Sequence, residues 1–359
     1  MLRIRPIQVL LIPVIACSII EEHESSATRN AANTSIDVCF YIKKGHPRSC
    51  KTFENLTTLG EFMSKPHVKV EIHDQFLTKL HKYSFSRIMY TKELVIANCG
   101  VLEIEPGAFH NSLSLLKFDI QRNRLEILRE GVFNGLLISH LNLAHNKIRT
   151  IDPDALSNMQ NIEEVNLLNN LISVYDVKWF NKTPLLKSLC FQNNTIREIP
   201  ETAFRNLIDM KHGMNLFYSF NMIKTVHPKA FQGMGKTKIN KLLLDHNLLE
   251  NWGEELSLNI NELEICFNSI RCIEGNLHVT IKNNSLRNFI GNPYDCACLK
   301  EMKTIGDNRG ERSNWFSNEY AKCRAFNKSG LKQIEGSNIQ VFSSRFESNF
   351  HGSKFKQIV

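Results

Sequence analysis

Ten cysteines are the residues of this 359-residue chain with the widest chemistry. Their thiols can form disulfides, bind metal ions or act as nucleophiles, depending on compartment and surroundings. Cys296 and Cys298 form a Cys-x-Cys pair, and Cys323 follows at a distance. These three residues are potential zinc ligands or disulfide partners. Which of the two roles applies depends on the structural elements in which they lie.

Other motifs give little support for catalysis. Residues 230–237 end in Gly-Lys-Thr and fit a relaxed phosphate-loop pattern. A phosphate loop follows a buried strand and opens a helix, whereas this stretch leads into the apolar run 242–244. Thirteen histidines are scattered, and His145 and His246 fit turn packing better than catalysis or metal binding. The sequence therefore predicts no enzymatic activity and no metal or cofactor.

The N-terminus has the features of a secretory signal peptide. Two arginines precede an apolar run over residues 7–20, and Ala16 and Ser18 supply small residues for cleavage near Ser18. A membrane anchor and a bacterial lipoprotein signal at Cys17 are the alternatives, but charged sequence follows at once from Glu21. We expect an exported, extracellular protein without a membrane span.

Export agrees with the sequons and with the cysteine count. Without Cys17 nine cysteines remain, an odd number, so at least one thiol is expected to be free or bonded to another molecule. Pro184 weakens one sequon, at Asn181. The six candidate glycosylation sites are Asn33, Asn55, Asn181, Asn193, Asn283 and Asn327.

Composition excludes several classes of protein. Charged residues make up 22% and hydrophobic residues 42% of the chain, as in globular proteins, which excludes wholesale disorder. Lys and Arg number 44 against 36 Asp and Glu, a formal charge of +8. The positive residues form no block, so we expect no nucleic-acid partner.

The strongest pattern is a unit L-x-L-x-x-N-x-L-x-x-L that recurs about every 24 residues, as in residues 141–151. Units of this kind are leucine-rich repeats. Each L-x-L pair predicts a short strand whose alternate side chains enter the core, and neighbouring units must complete that core. The predicted fold is an α/β-type leucine-rich repeat solenoid, a horseshoe with short parallel strands on its concave face, an irregular or 3-10 convex side, and caps stapled by cysteines.

The asparagine of each unit predicts a ladder of buried amides that satisfy backbone groups of their own and adjacent turns. Cysteine takes this place once, as a weaker donor. The predicted ladder positions are Cys99, Asn123, Asn146, Asn170, Asn194, Asn221, Asn247, Asn268 and Asn284.

The outward positions of the strands are a candidate binding face. Their charge is mixed and aromatic residues are few, so an edge, a cap or the tail is an equally supported binding surface. The candidate residues are Lys117, Asp119, Gln121, Asn142, Asn166, Gln192, Phe217, Asp245, Glu264 and Lys282.

Three further cysteines lie within the repeats. Cys190 is at an outward concave position, and Cys266 and Cys272 fall in one late unit. Each is a candidate for a free or intermolecular thiol, and Cys266 and Cys272 can alternatively bridge to each other. A disulfide-linked dimer is therefore one expectation.

Cysteines flank the repeats at both ends. Cys39 and Cys50 precede the first unit and are expected to pair across an N-terminal cap. The run Gly-Asn-Pro-Tyr-Asp-Cys-Ala-Cys at 291–298 resembles the C-terminal cap of extracellular leucine-rich repeat proteins. That resemblance implies disulfides rather than zinc. Because the usual fourth cysteine is missing, it implies that Cys323 pairs with Cys296 or Cys298 and that the other is left over.

These patterns divide the chain into five parts: a signal peptide at 1–18, an N-terminal segment and cysteine cap at 19–67, about ten repeats at 68–290, a C-terminal cysteine cap at 291–330 and a loosely ordered tail at 331–359.

The cap order at 39–57, the degenerate unit at 93–109 and the shortened units at 261–270 and 277–286 resemble the mosquito leucine-rich repeat immune proteins. The resemblance spans roughly residues 37–325. In that family some members pair through cysteines and hold a complement-like thioester protein, which implies such a protein or a second leucine-rich repeat chain as partner. Those members carry a C-terminal coiled coil. Glycines interrupt the tail here and no heptads appear, so the resemblance is to the short members that lack the coiled coil.

We therefore predict a secreted leucine-rich repeat binding protein, a recognition or scaffold component of innate immunity that binds protein or microbial surface ligands. The alternative is a soluble extracellular regulator, either a receptor decoy or an inhibitor of an extracellular enzyme.

Overall fold

A computed structural model describes residues 35–42, 47–54, 68–86, 88, 90–253, 256, 260–275, 277–280, 284–310 and 314–328. The chain divides into two compact units, one up to Pro293 and one from Tyr294 onward, and each is described by itself. The signal peptide at 1–18 and the tail at 331–359 lie outside the described residues and stay predictions.

The first unit is built from short strands. In chain order they are β1 (Ile36–Tyr41), β2 (Ser49–Phe53), β3 (Lys69–His73), β4 (Lys79–Leu80), β5 (Glu93–Ala97), β6 (Glu103–Ile104), β7 (Lys117–Asp119), β8 (Ile127–Leu128), β9 (His140–Asn142), β10 (Thr150–Ile151), β11 (Glu164–Asn166), β12 (Ser188–Cys190), β13 (Glu198–Ile199), β14 (Met214–Phe217), β15 (Thr225–Val226), β16 (Ile239–Leu243), β17 (Trp252–Gly253), β18 (Ile260–Glu264) and β19 (Ile273–Glu274).

One sheet of eleven strands forms the concave face, in the order β18-β16-β14-β12-β11-β9-β7-β5-β3-β1-β2. From β3 to β18 neighbouring strands run parallel, and the apolar pair of each unit points into the core. In β9 and just beyond it, for example, Leu141 and Leu143 are buried while Asn142 between them is half-buried. The predicted solenoid with parallel strands on one face is confirmed.

An antiparallel hairpin closes the N-terminal edge of this sheet. Strand β1 pairs antiparallel with both β2 and β3, so the hairpin covers the edge that the first parallel strand would leave open. A disulfide joins Cys39 and Cys50, which face each other in the β1–β2 register with 4.0 Å between their Cα atoms. This is the N-terminal cap that the cysteine positions indicated.

The convex side is more regular than the sequence predicted. Two-residue strands pair in parallel as β4–β6, β8–β10, β13–β15 and β17–β19, with turns between them. Phenylalanines fill the space behind the strands, and the rings of Phe204 and Phe231 stack with centroids 5.2 Å apart.

A ladder of asparagine amides joins successive turns. Asn146 donates through Nδ2 to the carbonyls of Ile120 and Leu143, both at 3.0 Å, and its Oδ1 accepts the N–H of Leu125 at 3.2 Å. The same pattern links the side chains of Asn123, Asn170, Asn194, Asn221, Asn247 and Asn268 to their neighbouring turns. Cys99 takes the position with its thiol, which donates to Ile72 O at 3.4 Å.

The last turn of the ladder differs from the prediction. Residues Leu277–Thr280 form a short helix (α1) rather than a strand. Asn284 donates to Thr280 O in its own turn, and its Oδ1 accepts the N–H of Leu263 of the preceding turn at 2.8 Å. The ladder pattern of the earlier turns continues at Asn292, whose Nδ2 donates to Ile265 O at 3.0 Å and whose Oδ1 accepts the N–H of Asn268 at 3.2 Å. The first residues of the predicted cap therefore belong to the last turn of the repeats.

The second unit contains two helices, α2 (Cys296–Asn308) and α3 (Asn314–Lys328). Asp295 caps α2, because its Oδ1 accepts the N–H of Cys298 at 2.9 Å. A disulfide joins Cys296 to Cys323 across the two helices, with 5.7 Å between Cα atoms. Within the described residues, none of the helices has the length and apolar character needed to span a membrane.

Candidate functional site

Each parallel strand of the concave sheet, together with the two residues that follow it, has three positions whose side chains point outward. Equivalent positions of neighbouring strands line up, so these side chains form three rows across the sheet. The first row runs along Lys69, Glu93, Lys117, His140, Glu164, Ser188, Asn215, Lys241 and Glu262. The middle row runs along Glu71, Val95, Asp119, Asn142, Asn166, Cys190, Phe217, Leu243 and Glu264. The third row runs along His73, Ala97, Gln121, Ala144, Leu168, Gln192, Ser219, Asp245 and Cys266.

Ion pairs occupy the N-terminal end of these rows. Lys69 Nζ lies 2.8 Å from Glu71 Oε1 and 3.9 Å from Glu93 Oε2, and Lys117 reaches Glu93 from the next strand at 3.9 Å. The ammonium of Lys69 holds the pKa of Glu71 below its ordinary value, although burial opposes this shift. These charged side chains form ion pairs with one another, so few of their charges at this end of the sheet are left for a ligand.

Three predicted binding residues in the middle row are engaged by their own turns. Asp119, Asn142 and Asn166 each accept, through Oδ1, the N–H of the residue two positions further on, at 3.0, 3.2 and 3.0 Å. Such contacts end the strand locally, as short polar side chains do in turns. Gln121 also donates to Asp119, at 3.0 Å, which leaves this stretch with few unengaged polar groups.

Further along the sheet the middle row becomes apolar, and its side chains pack against one another. Phe217 packs with Cys190 and Leu243, and Leu168 lies against the same cluster. Phe217 is only 2% exposed and Gln192 7% exposed, so neither is the open binding residue that the sequence predicted. The repeat pattern predicts that these side chains point outward from the sheet. It does not predict that contacts with neighbouring side chains of the same row bury Phe217 and Gln192.

At the C-terminal end of the rows two carboxylates lie close together. Asp245 is 9% exposed and accepts a hydrogen bond from Ser219 Oγ, and its Oδ2 lies 2.8 Å from His246 Nδ1. Burial, followed by the charge of Asp245, raises the pKa of Glu264. The nearby Lys241 Nζ pairs with Glu262, at 2.9 Å. Negative charge is therefore concentrated here, in a chain whose formal charge is +8.

A ridge runs along one edge of the concave sheet, formed by the residue that precedes each ladder position. All ten of its members have φ between 52° and 77°, the left-handed region that costs most L-residues roughly 1–2 kcal/mol and that Gly, Asn and Asp tolerate best. The ridge residues are Asp74, Asn98, Arg122, His145, Asn169, Asn193, Phe220, His246, Phe267 and Gly291.

The ridge has a polar half and an aromatic half. In the polar half Asn98 donates to Asp74 at 2.6 Å, and Asn193 donates to Asn169 at 2.7 Å. In the aromatic half the rings of Phe220, His246 and Phe267 form a continuous stack, with centroid distances of 4.3 and 4.6 Å. We call these three residues the aromatic ridge.

The aromatic ridge is partly accessible, because Phe220 is exposed and His246 and Phe267 are half-buried. Phe220 is 45% exposed, and Met222 and Leu248, each two residues beyond a ridge position, are 43% and 40% exposed. Contiguous exposed apolar side chains rimmed by polar groups are typical of interaction sites. The sequence does contain a signal for the aromatic ridge. At the position just before the ladder asparagine, three consecutive units carry Phe or His where the two units before them carry Asn. The outward positions of the strands do not include this position, so the predicted binding face misses it.

The cysteines are placed differently from several of the sequence predictions. Cys190, Cys272 and Cys298 are each disulfide-bonded, so Cys298 is not left over, and Cys190 and Cys272 are not free. Cys266 is a free thiol, which confirms one of the two alternatives for this residue, and the bridge to Cys272 is wrong. Repeat spacing sets where a strand lies but not which sulfur atoms meet across turns, and this is why these predictions failed.

The two free thiols of the described residues, Cys99 and Cys266, are both buried. Burial raises the pKa of Cys99 to about 12, and burial together with the charge of Asp245 raises that of Cys266 even further above its ordinary value. Thiols in such surroundings are protonated and poorly reactive. Neither is suited to joining a second chain.

The remaining predicted sites have varied positions. Asn181 and Asn193 are exposed, and Asn193 lies on the polar half of the ridge. Lys282 and the sequons at Asn33, Asn55 and Asn283 lie outside the described residues, as does the side chain of Asn327. In the Gly-Lys-Thr stretch, Thr237 Oγ1 donates to Leu207 O at 2.7 Å, so this loop is tied to its own solenoid.

Comparison with known proteins agrees with this architecture. The family model of the BspA-type leucine-rich repeat region matches six copies, over residues 78–211 and 126–249. The chain has the leucine-rich repeat fold. Among solved structures, this leucine-rich repeat solenoid is similar to the TLR13–ssRNA13 complex, with a TM-score of 0.58 and 22% identity over 64% of this chain and 33% of that one. The mouse RP105/MD-1 complex matches with a TM-score of 0.53 and 18% identity over 66% of this chain and 41% of that one.

Similar curated proteins are extracellular leucine-rich repeat proteins. Transforming growth factor beta activator LRRC33 of Danio rerio is 24% identical over 55% of this chain and 33% of its own length. Podocan of Mus musculus is 24% identical over 60% of this chain and 38% of its own length. The chain thus spans about a third of the length of these relatives. Homology of this kind is consistent with protein binding.

Proposed function

We propose that this protein is a secreted leucine-rich repeat binding protein that serves as a recognition or scaffold component of innate immunity. Its ligand is a protein, such as a complement-like thioester protein or a second leucine-rich repeat chain, or a microbial surface. The N-terminal signal sequence and the extracellular relatives support secretion.

The observation that carries the proposal is the aromatic ridge. Large parts of the concave rows are engaged by internal ion pairs, turn contacts and the apolar cluster around Phe217, whereas Phe220, Met222 and Leu248 are open to solvent. An exposed aromatic and aliphatic surface at a sheet edge suits a protein ligand. The names of the solved neighbours describe complexes with an RNA and with a second protein, and they support binding as the general role of such solenoids.

Catalysis is not part of the proposal. The two free thiols of the described residues are buried and protonated, and the stretch that resembles a phosphate loop is bonded to its own solenoid through Thr237. We propose that the chain acts by binding alone.

The experiment is capture by the full secreted chain, purified with its disulfides intact. The immobilised protein is exposed to extracellular fluid from infected and uninfected animals and, separately, to killed bacteria. A saturable complex with a thioester protein, with a second leucine-rich repeat chain or with a microbial surface supports the proposal. Saturable binding confined to a host receptor or protease contradicts it and favours the regulator alternative.

A further inference from the structure

We propose that the aromatic ridge, together with Asp245 and Glu264, binds arginine side chains of a basic segment in the protein partner. This inference rests on the proposed function and specifies the chemistry of its ligand. Phe220, His246 and Phe267 supply ring faces, and of the two carboxylates Asp245 lies just after β16 and Glu264 ends the neighbouring strand β18.

The electrostatics of this end of the sheet favour a cationic ligand. Asp245 and Glu264 repel each other, and Lys241, whose charge partly offsets this repulsion at Glu264, forms its ion pair with Glu262 at 2.9 Å. His246 contacts Asp245 through Nδ1, but no Lys, Arg or His nitrogen of the described residues lies within 4.0 Å of the Glu264 carboxylate. A guanidinium brought by a partner would supply the missing positive charge.

The geometry of the rings favours arginine over lysine. A guanidinium is planar, stacks on aromatic faces and bonds carboxylates through two parallel N–H groups. Phe220 ends the stack and is 45% exposed, so its outer part is open, while Asp245 lies beside the central ring of the stack. One arginine can therefore rest on a ring and reach a carboxylate of the adjacent row.

The backbone gives an independent reason to regard these rings as a site. Phenylalanine and histidine occupy left-handed positions that neighbouring turns fill with asparagine, for instance Asn169 and Asn193. Strain of this kind persists where the surrounding structure imposes it and is concentrated at functional sites. Three consecutive turns accept an unfavourable residue type and gain an aromatic stack whose end ring, Phe220, is exposed.

A sugar ligand also stacks on rings, but it would leave the two carboxylates without a counter-charge. The formal charge of +8 on the whole chain repels polycations, so binding of a basic peptide would report a local site rather than general attraction. We therefore assign the ridge to a basic protein segment.

The test uses fluorescein-labelled nona-arginine as the probe and the full secreted chain as the receptor, with fluorescence anisotropy as the readout. Nona-lysine and nona-glutamate are the comparison peptides. The key variants are Phe220→Asn, which places the residue type of the neighbouring turns in the same left-handed position, and Asp245→Asn. The matched control is His145→Asn, the same type of change in the polar half of the ridge.

We expect nona-arginine to bind more tightly than nona-lysine and nona-glutamate not to bind. Phe220→Asn and Asp245→Asn should each weaken nona-arginine binding at least tenfold, and His145→Asn should change it less than twofold. Absent binding, or equal binding by all four proteins, overturns the inference. So does binding of an oligosaccharide that Phe220→Asn abolishes while nona-arginine binding is unchanged.

The outcomes separate this inference from the proposed function. If the wild-type protein and Phe220→Asn capture the same immune partner equally well, the proposed function stands and the ridge inference fails. If nona-arginine binding shows the expected pattern but the chain captures no immune protein or microbial surface, the ridge inference stands and the immune role fails.

Discussion

Single buried amides connect the turns of this protein. Asn146 alone bonds three carbonyls and one N–H that belong to two different turns, and these backbone groups are away from water. Replacing Asn146 by leucine keeps the branched shape of the side chain but leaves the groups unpaired. We expect Asn146→Leu to reduce the free energy of unfolding by roughly 1–3 kcal/mol, measured by urea denaturation.

Cys99 offers the control for this substitution. Its thiol already bonds Ile72 O from the ladder position, and an asparagine there restores the residue type of the other turns. Cys99→Asn should therefore change stability by less than about 1 kcal/mol. An Asn146→Leu protein as stable as the wild type would contradict the role of the amide.

Glu264 makes the stability of the protein depend on pH in an unusual direction. Because burial and the charge of Asp245 raise its pKa, the folded state binds the proton more tightly than the unfolded state. The stabilisation is complete below the ordinary pKa of 4.5 and is lost as pH rises through the raised value. Glu264→Gln should therefore raise the melting temperature at pH 7.5, and this advantage should disappear towards pH 4.

The matched control is Glu262→Gln in the same strand, β18. Glu262 is more exposed and pairs with Lys241, so removing its charge should leave the melting temperature at pH 7.5 unchanged or slightly lower. Equal melting temperatures of Glu264→Gln and wild type across this pH range would show that the carboxylate is not under electrostatic strain.

Among the elements, the turn around Gly291 ends the ridge. Gly291 has φ +77°, and a Cβ added there would lie 2.5 Å from Cδ1 of the Phe267 ring. Gly291→Ala therefore combines backbone strain with a clash, and we expect it to lower the melting temperature. In a Phe267→Ala background only the backbone term of roughly 1–2 kcal/mol should remain.

A double-mutant cycle measured by thermal denaturation tests this coupling. The cost of Gly291→Ala should be larger in the wild type than in the Phe267→Ala protein. Identical costs in both backgrounds would mean that the ring does not rest on this turn.

The sequence predicted those elements whose spacing is regular. The period of the units placed the strands and most ladder residues, because an alternating apolar pair followed by asparagine has one structural solution in a solenoid. At the C-terminal end Asn284 follows the apolar pair Val279 and Ile281, whereas Asn292 has Arg287 where the first apolar residue of the unit would stand. The repeat pattern therefore points to Asn284 alone, although the last turn also places the Asn292 amide in the ladder. Likewise, the turn contacts of Asp119 and Asn166 depend on side-chain rotation, which the pattern does not specify.

For the whole molecule, a solenoid predicts that complete units can be removed. Residues 147–170 are one unit, running from just after Asn146 through the next ladder residue, Asn170. Deleting them brings β9 next to β12 in an unchanged parallel register. We expect a secreted, cooperatively folded protein with a lower melting temperature, because stability is close to a sum over units and their interfaces.

Deletion of residues 147–158 is the comparison, since it removes half a unit and places apolar side chains out of register. That chain should lack the cooperative melting transition by circular dichroism. A folded half-unit deletion, or an unfolded full-unit deletion, would contradict additive stacking of the turns.

The antiparallel hairpin of β1 and β2 has a consequence for self-association. Open ends of parallel sheets are templates on which identical chains can add and grow into fibres. Here β1 and β2 close the N-terminal edge as an antiparallel hairpin held by the Cys39–Cys50 bond, and the outermost strand β2 carries exposed Lys51 and Thr52. An exposed edge strand with a charged side chain disfavours pairing with a second chain, so the hairpin works against polymer growth from this end at high concentration.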